Sequence, residues 1–540
     1  METRILLSAL YIFAVIPGFT QQSAATVPKN WFLLDPEADS VQGVSAEKVY
    51  NTLLKNKPSR NVIVAVIDSG IDIEHEDLKD VIWINEDEIP NNGIDDDKNG
   101  YTDDVYGWNF IGGKNGNVNE ETFEVTREYV RLKKKYENIE EAKVGKKDKA
   151  EYVLWLKVKK LFTESAQKAT QQYNFYKQLH ENISYANDTL KSILKVDTLT
   201  YELVTKLEAD HEKVKKAKES LNFVYTNAGK DASIEGVMIQ INEGVKYFEP
   251  RVSCGYNPDC NVRTVVGDNP GNVTEMDYGN SDVEGPDPSH GTHVAGIIAG
   301  NRNNSIGIKG IADHVRIMSV RAVPNGDERD KDVANAIMYA VNNGAQIINM
   351  SFGKSLSPDK AVVDKAVKYA ETKGVLLIHA AGNNSKDNDV ETSYPNRFYA
   401  NGKEAKNWIE IGASAWGASD KLVGSFSNYG KKSVNLFAPG VQIYSTTPNN
   451  DYGNNSGTSM ASPATAGVAA IVMAYFPNLT ATQVKEVLVQ STRKFDSLQV
   501  AKPGSKDKVA FRELSESGGL VNAYEAVKLA LTLKPIVKKK

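Results

Sequence analysis

From Asn61 to Ile67 the chain reads Asn-Val-Ile-Val-Ala-Val-Ile, an apolar and β-branched run with no polar alternation. A strand of that kind is covered on both faces, as in a parallel sheet flanked by helices. Further runs at 316–320, 346–350, 375–380, 408–412 and 433–437 predict strands. Helical spacing of apolar residues predicts helices over 332–342, 359–373, 459–476 and 481–491. This alternation is the βαβ signature, and right-handed crossovers put the helices on both sides. The predicted class is α/β, a mostly parallel sheet with helices on both faces. A lead-in from 30 to 58, with a helix over 46–54, precedes it. Gly519-Leu520-Val521-Asn522-Ala523 and a last helix close it.

The pattern changes between 122 and 248. Lys, Glu, Gln, Leu and Tyr dominate, Pro is absent and Gly is scarce. Apolar positions such as Leu179, Ile183, Leu190, Ile193, Leu194, Leu203, Leu207, Val214 and Leu221 recur at helical spacing, with mixed-sign charge between them. The segment reads as several long amphipathic helices, an inserted all-α subdomain. Its aromatic residues Tyr152, Trp155, Phe162, Tyr173 and Tyr176 read as core, and His180 and His211 as solvated helix residues. The predicted organisation is a leader at 1–25, one discontinuous domain over 26–121 and 249–532, the helical insertion 122–248, and a basic tail at 533–540.

At 540 residues the chain exceeds one ordinary domain. Its formal net charge of -5 argues against nucleic acid as a partner. Met1-Glu2-Thr3-Arg4, the apolar run 5–16 and the small residues Ser23-Ala24-Ala25 match a secretory leader, and the run is too short to span a bilayer. No later segment is long and apolar enough to do so. The expected destination is outside the cytoplasm, secreted or periplasmic. In an exported chain the pair Cys254 and Cys260, with Gly and Asn-Pro between them, is most simply a local disulfide. A zinc site would need more ligands than this stretch offers.

The chemistry is scattered along this frame. Asp68-Ser69-Gly70 ends the first strand, where open α/β sheets place their sites. His290 opens a helix rich in Ala, Gly and Ile, and His293, one turn on, reads as structural. Asn383 follows an apolar strand and Ala381-Gly382. Ser459, in Gly457-Thr458-Ser459-Met460-Ala461-Ser462-Pro463, starts an apolar helix. Singly, each has a plain reading as a turn or capping residue. Together they supply a nucleophile, a base, an acid that orients the base, and an amide donor for an oxyanion.

Asp95, Asp97, Asn99, Tyr101, Asp103 and Asp104 place oxygen at alternate positions around Gly100, like the first half of an EF-hand loop. Position twelve is Tyr106 rather than Glu, with Asp103 or Asp104 as substitutes. Calcium and a solvated acidic turn are both open readings here.

Those four motifs, in the order Asp, His, Asn, Ser, resemble the subtilisin-like serine proteases, or subtilases. The resemblance covers all but the leader and the helical insertion. It implies peptide-bond hydrolysis through an acyl-enzyme, with Asp68, His290 and Ser459 as triad and Asn383 as oxyanion donor. It implies an extended peptide or protein substrate lying along Ser351-Phe352-Gly353, and a pocket wall at Ala380-Ala381-Gly382 with room for a large apolar side chain. Calcium sites are frequent in the family, which favours structural Ca2+ at the acidic loop; the chemistry itself calls for no cofactor.

Two features depart from the family. From Asp68 to His290 the gap is 222 positions, far more than the core fold needs. The insertion that fills it is expected to restrict access, select substrates or contact a partner. Only 67 residues precede Asp68, which leaves no room for the usual inhibitory pro-domain, so no self-cleaved form is expected beyond leader removal. Two other functions fit the same motifs: a dedicated processing peptidase for one partner, and an inactive protease fold used as a binding scaffold.

Overall fold

The structure, a computed structural model, describes residues 27–533. The expected leader, and all of the expected tail beyond Leu533, lie outside the described residues. The described residues divide into two compact units, one of residues 27–119, 263–324 and 328–533, the other of Glu120–Val262 with Asn325–Asp327.

After a lead-in that holds a short helix, Ala46–Asn51, the strands of the first unit begin with β1 (Val62–Asp68) and β2 (Gly107–Asn109). The second unit then supplies α1 (Glu124–Tyr136), α2 (Lys149–Leu194), α3 (Tyr201–Lys206), α4 (Glu212–Ala228) and α5 (Ile234–Pro250). The first unit resumes with α6 (Ser289–Ala299), β3 (Val315–Arg321), α7 (Asp330–Asn342), β4 (Ile347–Met350), α8 (Lys360–Lys373), β5 (Leu376–Ala380), β6 (Trp408–Ser414) and β7 (Leu436–Pro439). A hairpin of β8 (Ile443–Thr447) and β9 (Asp451–Asn455) follows, then α9 (Thr458–Tyr475), α10 (Ala481–Gln490), β10 (Arg493–Lys494), β11 (Gly519–Leu520) and α11 (Ala523–Ala530).

The main sheet has nine strands in the order β10-β11-β7-β6-β5-β4-β1-β3-β2, parallel throughout except at β10–β11. β1 pairs with β3 on one side and β4 on the other, Val64 standing opposite both Ile317 and Ile347. Its alternate residues feed two cores. Val62, Val64 and Val66 pack with Val294, Ile297 and Ile298 of α6 and with Val468, Ile471 and Val472 of α9. Ala65 and Ile67 pack with Ile337 and Tyr339 of α7 and Val363 and Val367 of α8. The fold is therefore the expected parallel α/β arrangement with both faces covered. α9 is apolar nearly all round and buried along its length. It approaches closely because its residues are small: a Cβ on Gly467 would fall 2.6 Å from Cβ of Ile311.

Several element limits differ from expectation. The lead-in helix stops at Asn51 rather than 54, and the strand expected over 433–437 is Leu436–Pro439. β2, β8, β9 and β10 were not expected. They are short or polar, and β9 carries the sequence Asp-Tyr-Gly-Asn-Asn with mostly exposed side chains.

The second unit is helical, as the spacing predicts. α2 runs 46 residues, about 69 Å at 1.5 Å per residue. Trp155, Phe162, Ala169, Tyr176, Ile183 and Leu190 are buried along it at seven-residue steps, the spacing of a coiled-coil seam. α1, α4 and α5 pack on α2. Tyr152 and Tyr173 of the expected aromatic core are only half-buried, and His211 caps α4 rather than lying within it. Cys254 and Cys260 are joined as a disulfide with Cα atoms 5.1 Å apart. Among the described residues no helix is long and apolar enough to cross a membrane.

Candidate active site

The apolar run of β1 delivers Asp68 to the carboxyl edge of the sheet, where its carbonyl accepts from the N–H groups of Ala322 and Val323. Its side chain is buried, and Oδ1 accepts from the Ser69 N–H at 2.8 Å. The same Oδ1 lies 2.7 Å from Nδ1 of His290, in the first turn of α6. Gly291 makes this approach feasible: a Cβ there would sit 2.1 Å from the Gly70 carbonyl oxygen and 3.2 Å from Cβ of Asp68. The other carboxylate oxygen, Oδ2, is buried with no partner among the described residues. Burial pulls the His290 pKa down, but the charge and hydrogen bond of Asp68, with Asp287 adding, outweigh it and the net shift is upward. His293 lies deeper. Its Nε2 is 3.1 Å from the Ile443 carbonyl and 3.2 Å from that of Gly453, which ties α6 to the β8–β9 hairpin.

Ser459 sits in the first turn of α9, half-buried. Its hydroxyl donates to the Ser351 carbonyl at 3.1 Å rather than to His290. Ser351 returns the contact, its own hydroxyl donating to the Ser459 carbonyl at 3.0 Å. Pro463 explains why that carbonyl is free. A residue four positions on would normally donate its N–H there, and proline has none. Behind Ser351 stands Asn349, which donates to the Ser351 hydroxyl at 3.0 Å and accepts from Ser462 at 2.8 Å.

Asn383 follows β5 through Ala381 and Gly382. Its Oδ1 accepts from both the N–H and the hydroxyl of Thr458, each at 2.9 Å. That occupies the oxygen and leaves the amide nitrogen to donate elsewhere. A Cβ placed on Gly457 would be 3.3 Å from Nδ2 of Asn383 and 3.6 Å from the Ser459 nitrogen, so the two donors flank one point in space. Two donors around one small volume can hold an oxyanion.

Ser351 is buried, Phe352 half-buried and Gly353 exposed; Ala380 and Ala381 are buried and Gly382 is half-buried. The fully buried His379 stands beside this segment, and sequence reading passed over it. Its Nδ1 is 2.9 Å from Oε1 of the buried Glu410.

In the acidic loop, Asp95 and Asp97 come together with Glu88, one oxygen of each lying within 4.8 Å of the others. Glu88 was not among the expected ligands, since it precedes the alternating pattern. Backbone N–H groups of Asp96, Asp97 and Asp103 orient its carboxylate. Asn99 bonds Asp97 and Asp104. Asp103 turns to the N–H groups of Asn92 and Gly93. Asp104 is buried against the Tyr339 hydroxyl, and burial is the largest cause of a pKa pushed up to about 6. The Tyr101 ring lies in an aromatic cluster with Trp108, Phe110 and Tyr339. The donor set of Glu88, Asp95 and Asp97 is all hard oxygen, which suits calcium.

The model of the subtilase family matches residues 59–512, most of the chain. The chain belongs to the subtilase family. Among its relatives, this subtilase is 36% identical over 273 residues to the thermophilic serine proteinase of Bacillus sp. (strain AK1), a match covering 50% of this chain and 58% of that one. It is 35% identical over 257 residues to Subtilisin Savinase of Lederbergia lenta, covering 47% and 85%. It is 36% identical over 239 residues to Thermitase of Thermoactinomyces vulgaris, covering 44% and 74%. The subtilase thus spans less than two thirds of the first of these relatives and more of the other two.

Proposed function

We propose that this chain is an exported serine endopeptidase, cutting peptide bonds by way of an acyl-enzyme. The observation that carries the reading is the 2.7 Å bond between Asp68 and His290, residues 222 positions apart. Ser459 Oγ attacks the substrate carbonyl once its hydroxyl turns from Ser351 to Nε2 of His290, which takes the proton. Asp68 holds the imidazole by Nδ1 and stabilises its positive charge. The oxyanion so formed accepts from Nδ2 of Asn383 and the N–H of Ser459. His290 then gives its proton to the leaving amine, and the C–N bond breaks to leave an ester on Ser459. Water, deprotonated by His290, cleaves that ester and restores the hydroxyl.

The substrate is an extended peptide along Ser351-Phe352-Gly353, with Ala380-Ala381-Gly382 beside the residue that precedes the cut bond. Calcium, bound by Glu88, Asp95 and Asp97, would brace the loop between β1 and β2 and take no part in the chemistry. The helical unit serves to select substrates. Export rests on the apolar run 5–16 and the small residues after it.

A fluorophosphonate probe tests the chemistry: it should label Ser459 in the wild type and leave Ser459→Ala unlabelled. Peptide-library cleavage by the same pair then separates a general endopeptidase, which cuts many members, from a processing peptidase that cuts one. No labelling and no cleavage would leave the inactive scaffold as the answer.

A further inference from the structure

Four residues before Asn383, the imidazole of His379 is wholly buried within β5. It aligns in register with Met350 of β4 and Glu410 of β6, on the face covered by α7 and α8. Its orientation is fixed from three sides. Nδ1 is 2.9 Å from Oε1 of Glu410, whose Oε2 accepts from Nε1 of Trp408 at 2.8 Å. The ring is flanked by Phe352 and Trp408, with centroids 6.2 and 5.2 Å away. This leaves Nε2 buried and without a hydrogen-bond partner among the described residues.

Nε2 is not aimed into apolar core. A Cβ built on the exposed Gly353 would lie 3.7 Å from it, 3.4 Å from the Ser393 hydroxyl and 3.1 Å from the Tyr394 carbonyl. A Cβ at the end of Ser351-Phe352-Gly353 would thus be in contact with three polar atoms. Ser351, two residues earlier, contacts the nucleophile, and Asn383 closes the same strand end. On the endopeptidase reading, the residue whose carbonyl lies between Ser459 and Asn383 would carry its side chain toward this end of the segment. The lining there is small, as Ala380-Ala381-Gly382 implied, but polar at its far limit.

We propose that His379, held by Glu410, forms a polar floor to the pocket for the residue preceding the cut bond, so that cleavage favours side chains ending in an amide or hydroxyl over apolar ones of equal size. This rests on the endopeptidase reading above and names its preference. Amides and hydroxyls both donate and accept, so they satisfy Nε2 whether or not it carries a proton. An apolar tip leaves it unmet, and a buried hydrogen-bonding group left unpaired is costly. His379 and Glu410 are specificity residues in this scheme; they touch no bond that breaks.

The test uses fluorogenic peptides identical except before the cut bond, in the near-isosteric pairs Tyr/Phe and Gln/Met. Active enzyme is counted by fluorophosphonate labelling. In the wild type kcat/KM should favour Tyr and Gln by about tenfold to a hundredfold. His379→Met combined with Glu410→Met removes both polar partners, leaves no charge unpaired, and should bring both ratios to one or below. His379→Gln keeps a polar tip and should keep part of the preference. A purely structural role would lower both members of each pair equally and leave the ratios alone, which overturns the proposal. So does a wild-type enzyme that cuts Phe and Met peptides as well as their partners, even if the double variant does not fold. A wild type that is neither labelled nor active overturns the endopeptidase reading as well, so the two failures look different.

Discussion

Thr458 holds Asn383 by its side-chain oxygen twice over, through the backbone N–H and the hydroxyl, each at 2.9 Å. The hydroxyl of Thr458 also accepts from the Gly382 N–H at 3.1 Å. Thr458 therefore fixes which end of the Asn383 amide is left to donate, and on the proposed mechanism that end faces the substrate. Asn383→Leu should lower kcat by about a hundredfold to a thousandfold, a magnitude that comes from subtilisin, itself a member of this family. Thr458→Val keeps the backbone bond and loses the hydroxyl, so kcat should fall about tenfold with KM little changed. In the Asn383→Leu background the same change should add almost nothing, because the two residues act as one unit. Steady-state kinetics of the three variants check this.

The upward shift at His290 has a kinetic signature. The base must be neutral to accept a proton, so activity rises with pH through its pKa. The midpoint of that rise should lie above the ordinary imidazole value of 6.5. Asp68→Asn removes the charge that raises it. The midpoint should then move down, and kcat should fall by about four orders of magnitude as the tautomer is lost. A pH–rate profile of kcat/KM for both proteins reads out the two effects.

His293 predicts acid sensitivity of the fold. Burial, against weaker opposing hydrogen bonds to the Gly453 and Ile443 carbonyls, lowers its pKa to about 4. The unfolded chain takes up a proton near pH 6.5 and the folded one does not, so stability is full above 6.5 and falls as pH drops toward 4. The loss over that window is about 3 kcal/mol. Urea unfolding of Ser459→Ala, which cannot digest itself, should show it, and His293→Asn should flatten the slope by that amount.

Calcium at the acidic loop should appear as thermal stability. Chelation should lower the Tm of Ser459→Ala, and added calcium should restore it. Glu88→Gln with Asp97→Asn should lower the Tm to the chelated level and abolish the response. A Tm indifferent to both chelator and calcium in the unaltered loop would remove the metal from the account.

Replacing 122–248 with a short linker tests the helical unit. Cleavage of a folded protein should change relative to cleavage of a short peptide. If neither changes, the unit has no part in substrate selection.

The sequence was legible where one physical demand acts at a time. β1 must be apolar on both faces, so Val62 to Ile67 reads as a strand without help from its neighbours. Gly291 and Gly382 mark close approaches, and they stand beside His290 and Asn383. Legibility fails where a residue matters through a partner distant in sequence. His379 and Glu410 lie inside runs that read as plain strand, and only the register across β5 and β6 makes them a pair. Pro463 reads as an oddity in a helix until Ser351 is found supplying the missing donor. β2 and the β8–β9 hairpin are too short and polar to carry a period of their own. Glu88 stands seven positions before Asp95, outside the alternation that drew attention to the loop.

The strand that carries Asp68 has an awkward birth. Both of its neighbours in the sheet come from beyond residue 314, so when β1 leaves the ribosome it has nothing to pair with for some 250 residues. The helical unit emerges in that interval, and only 325–327 of its residues come from outside that stretch of chain. It can close early, while the apolar edge of β1 waits. The order of synthesis thus runs opposite to the order of need. The acid of the relay is made first and set last, and any chaperone this protein requires has its work in between.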